Sequence, residues 1–329
     1  SVITISNSYK KKFNKKIEFI SLKSHFWDNL NRRYKYFFAL FLLIIKFFRT
    51  QNKIVFCFQA NIYAIIICKI FSVKIIARSN SAPYGWSKNI FKRNLFRFFL
   101  NRADKVIVNS FEFKKDLKND LHVNAECIYN PLNKNEIIQK SKLKAKRIFK
   151  KNNILKIINV GRFTDQKDQI TLLRALNEIK NKVKFQVIIM GKGILKKDLT
   201  HYIQKNKLDK NIKLVDFKSN PFPAMNETDL FILSSKYEGL PNVLLEALTL
   251  KKFVISSNCR TGPKEILLNG NGGYLFEVGD YKALSKLITK FTKNKKSCKL
   301  KLKKSVVHLK RFDYELNLKR YYNLINSLA

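Results

Sequence analysis

Short, continuously apolar runs alternate with helix-patterned segments along the second half of this chain, and few folds accommodate that rhythm. Leu155 to Val160, Lys184 to Met190, Ile212 to Val215, Leu230 to Ser234 and Phe253 to Ser256 each read as a buried strand. Gln169 to Lys180, Pro241 to Leu250 and Lys282 to Phe291 intervene as helices. Strands that are apolar at successive positions must be covered on both faces, as in parallel sheets crossed by helices. The first half keeps the same order. Lys53 to Phe58 reads as a strand, Ile62 to Phe71 as a buried helix and Lys74 to Arg78 as a strand. Trp86 to Arg102 reads as an amphipathic helix and Lys105 to Asn109 as a strand. The fold class expected is α/β, with two Rossmann-like parallel-sheet domains, and 329 residues are enough for two cores.

One βα unit is richer than the rest. After Leu230-Phe231-Ile232-Leu233 comes Ser234-Ser235-Lys236-Tyr237-Glu238-Gly239-Leu240-Pro241-Asn242-Val243-Leu244-Leu245-Glu246-Ala247-Leu248. Gly239 breaks the pattern, and Pro241 suits a first helical turn, where its missing N–H costs nothing. The N–H groups of Asn242 and Val243 would then point out of the helix start, where an anion is favoured. The backbones of Glu238 and Glu246 would stand ~8–10 Å apart. A glycosidase pair faces one bond, at ~5 Å when retaining and ~6.5–9.5 Å when inverting. Carboxylates flanking a helix N-terminus are better suited to gripping the two ends of a ligand with phosphate in its middle, as in a nucleotide-sugar. Taken alone, the spacing also fits a loop carboxylate and a solvated helix residue.

Arg162 and Lys167 follow the strand ending at Val160, the ligand-facing end of a parallel strand, where two cations can neutralise a leaving diphosphate. Gly191-Lys192-Gly193 ends another strand, and such a turn lets backbone approach a nucleotide or simply turns the chain.

These segments, with Asn159-Val160-Gly161-Arg162-Phe163, Thr261-Gly262-Pro263-Lys264-Glu265-Ile266 and Asn271-Gly272-Gly273-Tyr274-Leu275-Phe276, resemble the family-4 retaining glycosyltransferases of GT-B fold. Ala103 to Ser110 and Ile128-Tyr129-Asn130-Pro131 are similar to that family's domain-closing segments. The resemblance covers nearly the whole chain and is strongest from Ile154 to Leu287. It implies an acceptor-side domain over residues 1–150, a nucleotide-sugar domain over 151–310 and a terminal helix over 311–329 that crosses back to the first. The sequence in hand would lack the first strand and Gly-rich loop of the acceptor domain, since its first glycine is Gly85. The resemblance further implies transfer of a hexose or N-acetylhexosamine from a UDP-linked donor to a glycan, lipid-linked acceptor in surface polysaccharide synthesis. Configuration would be retained through a front-face, oxocarbenium-like step that needs no protein nucleophile.

By that resemblance Glu238, Arg162 and Lys167 are the catalytic residues, and Glu238 holds sugar hydroxyls. Glu246 holds the ribose, N–H groups from Leu240 to Val243 cap the diphosphate, and Gly161, Gly191, Gly193, Gly239, Pro241 and Asn242 complete the donor site. The chain departs from the family at Asp216, where a glycine is usual, and at Arg78-Ser79-Asn80, where many members have a histidine. Arg78 and Asn80 are the expected acceptor-side substitutes.

Lys and Arg number 66 against 23 acids, a net charge of +43. Either lysines cover every solvent face indifferently, or the partner is an anionic membrane or a nucleic acid. The five cysteines lack a C-x-x-C and read as reduced thiols. No histidine has metal-ligand spacing, and neither a metal nor another cofactor is expected. The longest apolar run, Tyr36 to Ile45, is too short to span a bilayer and reads as a buried or interfacial helix. The helix from Trp86 has aromatics and bases without an acid, and fits an interfacial helix or a core helix with a charged outer face. The expected location is cytoplasmic, peripheral on the inner face of the plasma membrane. Two other readings stay open: an inactive homologue that only binds nucleotide, and a basic nucleic-acid-binding protein.

Overall fold

The structure, a computed structural model, describes residues 1–4, 10, 13–21, 31–50, 53–59, 61–80, 89–144, 148–150 and 154–328. In chain order the first half runs β1 (Val2–Ile3), β2 (Phe19–Ile20), α1 (Arg32–Arg49), β3 (Ile54–Cys57), α2 (Asn61–Ile70), β4 (Lys74–Ser79), α3 (Ile90–Leu100), β5 (Lys105–Val108), α4 (Phe111–Leu121), β6 (Glu126–Cys127) and α5 (Lys134–Ser141). The second half runs β7 (Leu155–Val160), α6 (Gln169–Ile179), β8 (Phe185–Gly191), α7 (Lys196–Lys205), β9 (Ile212–Asp216), α8 (Phe222–Asn226), β10 (Leu230–Leu233), α9 (Asn242–Thr249), β11 (Phe253–Ser257), α10 (Pro263–Ile266), β12 (Tyr274–Phe276), α11 (Tyr281–Lys293), α12 (Lys295–His308) and α13 (Tyr314–Asn326).

β3-β4-β5-β6 form one parallel sheet and β12-β11-β10-β7-β8-β9 another, while β1 and β2 pair separately. Every residue of β10 and β11 is buried, as a strand covered on both faces requires. One face of the second sheet packs under α6, α7 and α11. The other packs under α5, α8 and α9, and draws in Tyr129, Leu132 and Phe149. The chain thus joins the second packing unit at Tyr129; from sequence, Asn130-Pro131 and the lysine-rich stretch from Lys140 to Asn153 read as the interdomain connection, and that stretch begins inside α5.

The first sheet buries one face under α1 to α4 and the other under α13, whose Tyr321 and Leu324 meet Ile76, Ile107 and Ile128. The two segments that pass between domains run side by side, with Leu132 N–H donating to Phe312 O at 2.8 Å. The helix expected from Trp86 is described from Ile90, capped by the Asn89 side chain; residues 86–88 lie outside the described residues, as does Ile5, the last residue of Val2-Ile3-Thr4-Ile5, which reads from sequence as strand-like. The Tyr36 to Ile45 run belongs to a longer helix, α1, and of its described side chains only Phe47 is fully buried. The reading as a buried helix is therefore corrected: α1 turns one side to the core and the other to solvent.

Candidate functional site

All strands of the second sheet are parallel, but their order reverses between β10 and β7, because β8 and β9 extend one way and β11 and β12 the other. Loops leaving adjacent parallel strands on opposite faces part at such a point and leave a crevice at the carboxyl ends. The loop after β7 carries Gly161, Arg162 and Lys167; the loop after β10 carries Glu238 and Gly239. Both sequence-expected clusters therefore meet at the switch point.

Glu238 and Lys167 form an ion pair, Nζ to Oε1 2.5 Å, with side chains only 8% and 15% exposed. Ser235 Oγ donates to the same Oε1 at 2.6 Å, and Thr261 Oγ1 donates to the Glu238 carbonyl. Lys167 ends a short 3-10 turn, followed by Asp168 in left-handed conformation. One lysine thus faces a buried carboxylate rather than standing as a separate loop cation.

Arg162 is exposed, and its Nη2 donates to Gln166 Oε1 at 3.0 Å. Gln166 in turn donates to Tyr237 O at 3.0 Å and accepts from Lys236 N–H at 2.8 Å through its own carbonyl. It therefore ties the two loops together. Nothing in the sequence singles out Gln166 or Ser235, since neither belongs to a charge pattern.

Pro241 is the N-cap of α9 rather than its first residue, and no side chain of its own caps the helix. Leu240 is buried in the core, Asn242 is exposed and Val243 half-buried. One turn on, Glu246 is half-buried, and its carboxylate has no hydrogen-bond or ion-pair partner among the described residues. Burial pushes that carboxyl up to about 7.

Gly191 and Gly193 face the loop after β7. A Cβ on Gly191 would lie 1.9 Å from Gly161 O, so the room this glycine leaves is filled by the protein's own backbone. Asp216 lies beside Gly191 in register and pairs with Lys196 at 2.6 Å.

The first domain closes the crevice from above. Asn80 O abuts Gly239 so closely that a Cβ there would stand 2.1 Å from it. Arg78 lies farther back, over the Phe58 and Tyr321 rings, with Nη2 donating to Asn130 Oδ1 at 2.6 Å. Asn130 Nδ2 then donates to Asn242 Oδ1 at 2.6 Å, linking Arg78 to the start of α9. Beside this relay, Glu265 accepts from the Phe111 N–H at 2.9 Å and from the Tyr129 hydroxyl at 2.5 Å. Reciprocally, Glu112 accepts from the Gly262 N–H at 3.1 Å, and Arg260 pairs with Asp116 and Asp120. Among the described residues no cluster of His, Cys, Asp and Glu side chains could hold a metal ion, and no helix is long and apolar enough to cross a membrane.

Two facing parallel-sheet domains with a crevice at a switch point define a GT-B architecture. A sequence model of the glycosyl transferases group 1 matches residues 139–305, just over half the chain, and the chain belongs to that family. An uncharacterized glycosyltransferase of Methanocaldococcus jannaschii is 31% identical over 257 residues, covering 72% of this chain and 62% of that protein. The N-acetylgalactosamine-N,N'-diacetylbacillosaminyl-diphospho-undecaprenol 4-alpha-N-acetylgalactosaminyltransferase of Campylobacter jejuni is 26% identical, over 80% of this chain and 73% of its own. Among solved structures, a Rickettsia africae glycosyltransferase superposes with a TM-score of 0.77 at 18% identity, covering 98% of this chain and 88% of its own. Anabaena HepE in complex with UDP superposes at 0.74 and 16% identity, over 94% and 86%. At those identities the likeness is one of fold.

Proposed function

We propose that the protein transfers a hexose or N-acetylhexosamine, with retention, from a UDP-linked donor to a lipid-linked glycan on the cytoplasmic side, in surface-polysaccharide synthesis. The observation that carries this reading is the convergence of Arg162, the Lys167–Glu238 pair and the start of α9 at the switch point. The names of two relatives, transferases acting on diphospho-undecaprenol acceptors, support the donor and acceptor classes.

In this reading the diphosphate lies against the N–H groups of Asn242 and Val243, with Arg162 reaching its oxygens. Glu246 accepts from the ribose hydroxyls. Glu238 keeps Oε1 on Lys167 and Ser235 and offers Oε2 to hydroxyls of the sugar. As the bond between the anomeric carbon and the phosphate oxygen breaks, negative charge grows on the diphosphate, and fixed cations and N–H groups stabilise it without reorganising. The acceptor hydroxyl attacks the same face, and its proton leaves to the diphosphate oxygen. No metal and no protein nucleophile takes part.

Thermal stabilisation by UDP, GDP, ADP and their sugar conjugates, without added metal, tests the donor half. A selective rise with a uridine nucleotide supports the reading. Transfer of labelled sugar to polyprenol-diphosphate glycans tests the rest; a nucleotide shift without transfer would leave a nucleotide-binding homologue, and no shift would overturn the proposal.

A further inference from the structure

The outer side of the first domain is apolar in a way its core does not require. On α1, Tyr34, Phe37, Phe41 and Phe48 are 53–77% exposed, although the same helix buries Phe47. On α3, Ile90 and Phe91 are about three-quarters exposed, and Leu95 and Phe98 about half. Between these helices lies α2, which touches both and exposes Tyr63 and Ile70. All three helices contribute to one core beneath them, so their outward stripes lie on one layer. An apolar surface of this extent on a single face is uncommon for a monomer in water and marks an interaction site.

The charge carried by the three helices themselves is of one sign. α1, α2 and α3 contain no Asp or Glu, but carry Arg33, Lys35, Lys46 and Arg49 on α1 and Lys92, Arg93 and Arg97 on α3. The next helix, α4, does carry acids, and Glu112, Asp116 and Asp120 all turn to the second domain. The acids of α4 are thus gathered at the domain contact, and α1, α2 and α3 have none of their own, although Glu18 and Asp104 reach in from neighbouring segments to pair with Lys46 and Lys69. Some of the bases have local partners, such as Lys46 with Glu18, and Arg102 stacks over Phe98 at 3.4 Å.

From these observations we infer that the α1–α2–α3 layer docks on an anionic lipid bilayer. Aromatic and aliphatic side chains enter the boundary between headgroups and acyl chains, while lysine and arginine stems reach back to anionic headgroups. A second copy of this chain is a poor occupant, because the same positive face would meet itself. Since a helix between two parallel strands runs opposite to them, α3 begins at the carboxyl end of β4, on the crevice side. Ile90 and Phe91, the most exposed pair on α3, therefore mark the docking edge nearest the crevice. The inference goes beyond the transferase reading and does not depend on it.

The test is co-sedimentation of the full chain with phosphatidylcholine vesicles, with and without phosphatidylglycerol. It compares the wild type with Phe37→Ser/Phe41→Ser and Ile90→Ser/Phe91→Ser. Expected is binding to the anionic vesicles at least about tenfold tighter than to neutral ones, and a loss of about tenfold in each double variant. The UDP thermal shift should stay unchanged, which separates this result from any failure of the donor reading. Hydrogen exchange supplies a readout without variants: amides of α1 and α3 should be protected on anionic vesicles. Equal binding to both vesicle types, no binding, or variants that bind like the wild type would overturn the inference. So would competition by polyuridylate that the variants abolish, or a wild-type dimer in light scattering that the variants lose.

Discussion

Lys167 Nζ lies 2.5 Å from Glu238 Oε1, and this pair joins the loop after β7 to the loop after β10 at the point where the strand order reverses. Both side chains are largely out of water, so deleting one leaves the other as an uncompensated buried charge. Such a deletion typically costs about 3–5 kcal/mol, whereas replacing both partners by neutral groups of similar size is far milder. Lys167→Ala and Glu238→Ala are each expected to lower the melting temperature and abolish transfer, with some UDP affinity remaining in Glu238→Ala. Lys167→Met/Glu238→Gln should recover most of the stability and none of the transfer. Recovery of transfer in the double variant would show the pair to be structural only.

Arg162 supplies the contrast. It is exposed, and among the described residues its guanidinium bonds to Gln166 and pairs with no acid, so its removal exposes no buried charge. Arg162→Ala should leave the melting temperature within about a degree, as surface substitutions usually do. UDP affinity should fall about tenfold or more, since charge-assisted bonds to phosphate are the strong ones. Calorimetry checks this, and wild-type affinity would remove Arg162 from the donor site.

Glu246 gives the site a pH signature. Its carboxyl is raised by burial to about 7, above the ordinary carboxylate value of 4.5. Between those values the folded protein keeps a proton that the unfolded chain releases, so this group's contribution to stability is lost as pH rises from about 4.5 through about 7 and is flat above. Glu246→Gln should remove that slope and stabilise the free protein at pH 8 by roughly 1–2 kcal/mol. Ribose hydroxyls favour the ionised form, so UDP binding near pH 7 should release protons in the wild type and none in the variant. Calorimetry in buffers of different ionisation enthalpy reads this directly. In Glu246→Ala, UDP binding itself should weaken.

The domain contact is a clamp between α4 and the segment that begins α10. Arg260 Nε lies 2.9 Å from Asp116 and its Nη2 2.8 Å from Asp120. These groups are partly solvated, so the clamp should weaken with salt. Arg260→Ala is expected to enlarge the radius of gyration in solution scattering and lower kcat several-fold, with UDP affinity within about threefold. Unchanged scattering and unchanged kcat would mean that the other contacts hold the domains without it.

Much of the fold is legible because its strands are apolar throughout. Leu230 to Ser234 and Phe253 to Ser256 announce burial on both faces, and both are wholly buried. α12 escapes notice because Lys295–His308 scatters seven residues of Lys and His among small and apolar ones, with no clear stripe. α5 is hidden in the same way within a lysine-rich stretch. The candidate site is legible in its charged members and in the Gly239 to Val243 turn, but not in its pairings. That Lys167 faces Glu238, that Gln166 bridges the loops and that Glu112 meets Gly262 all depend on residues far apart in sequence, which only the strand order brings together.

At Gly239 the backbones of the two domains stand in close contact. A methyl group there would stand 2.1 Å from Asn80 O and 3.3 Å from Asn109 Nδ2. The first neighbour is a carbonyl at the end of β4 and cannot rotate away, so Gly239→Ala must either part the domains or push the β10–α9 loop inward. Parting the domains separates an acceptor held on the Asn80 side from a donor held by α9. A displacement of about 1 Å at a reacting centre can cost about a hundredfold in rate. Gly239→Ala should therefore lower kcat by about that factor while UDP affinity, set within the second domain, changes only a few-fold. An inward push of the loop would instead disturb Glu238 and weaken donor binding together with turnover. Steady-state kinetics beside UDP calorimetry separates the two, and a variant with wild-type kcat would show that the Asn80–Gly239 contact is absent from the working state.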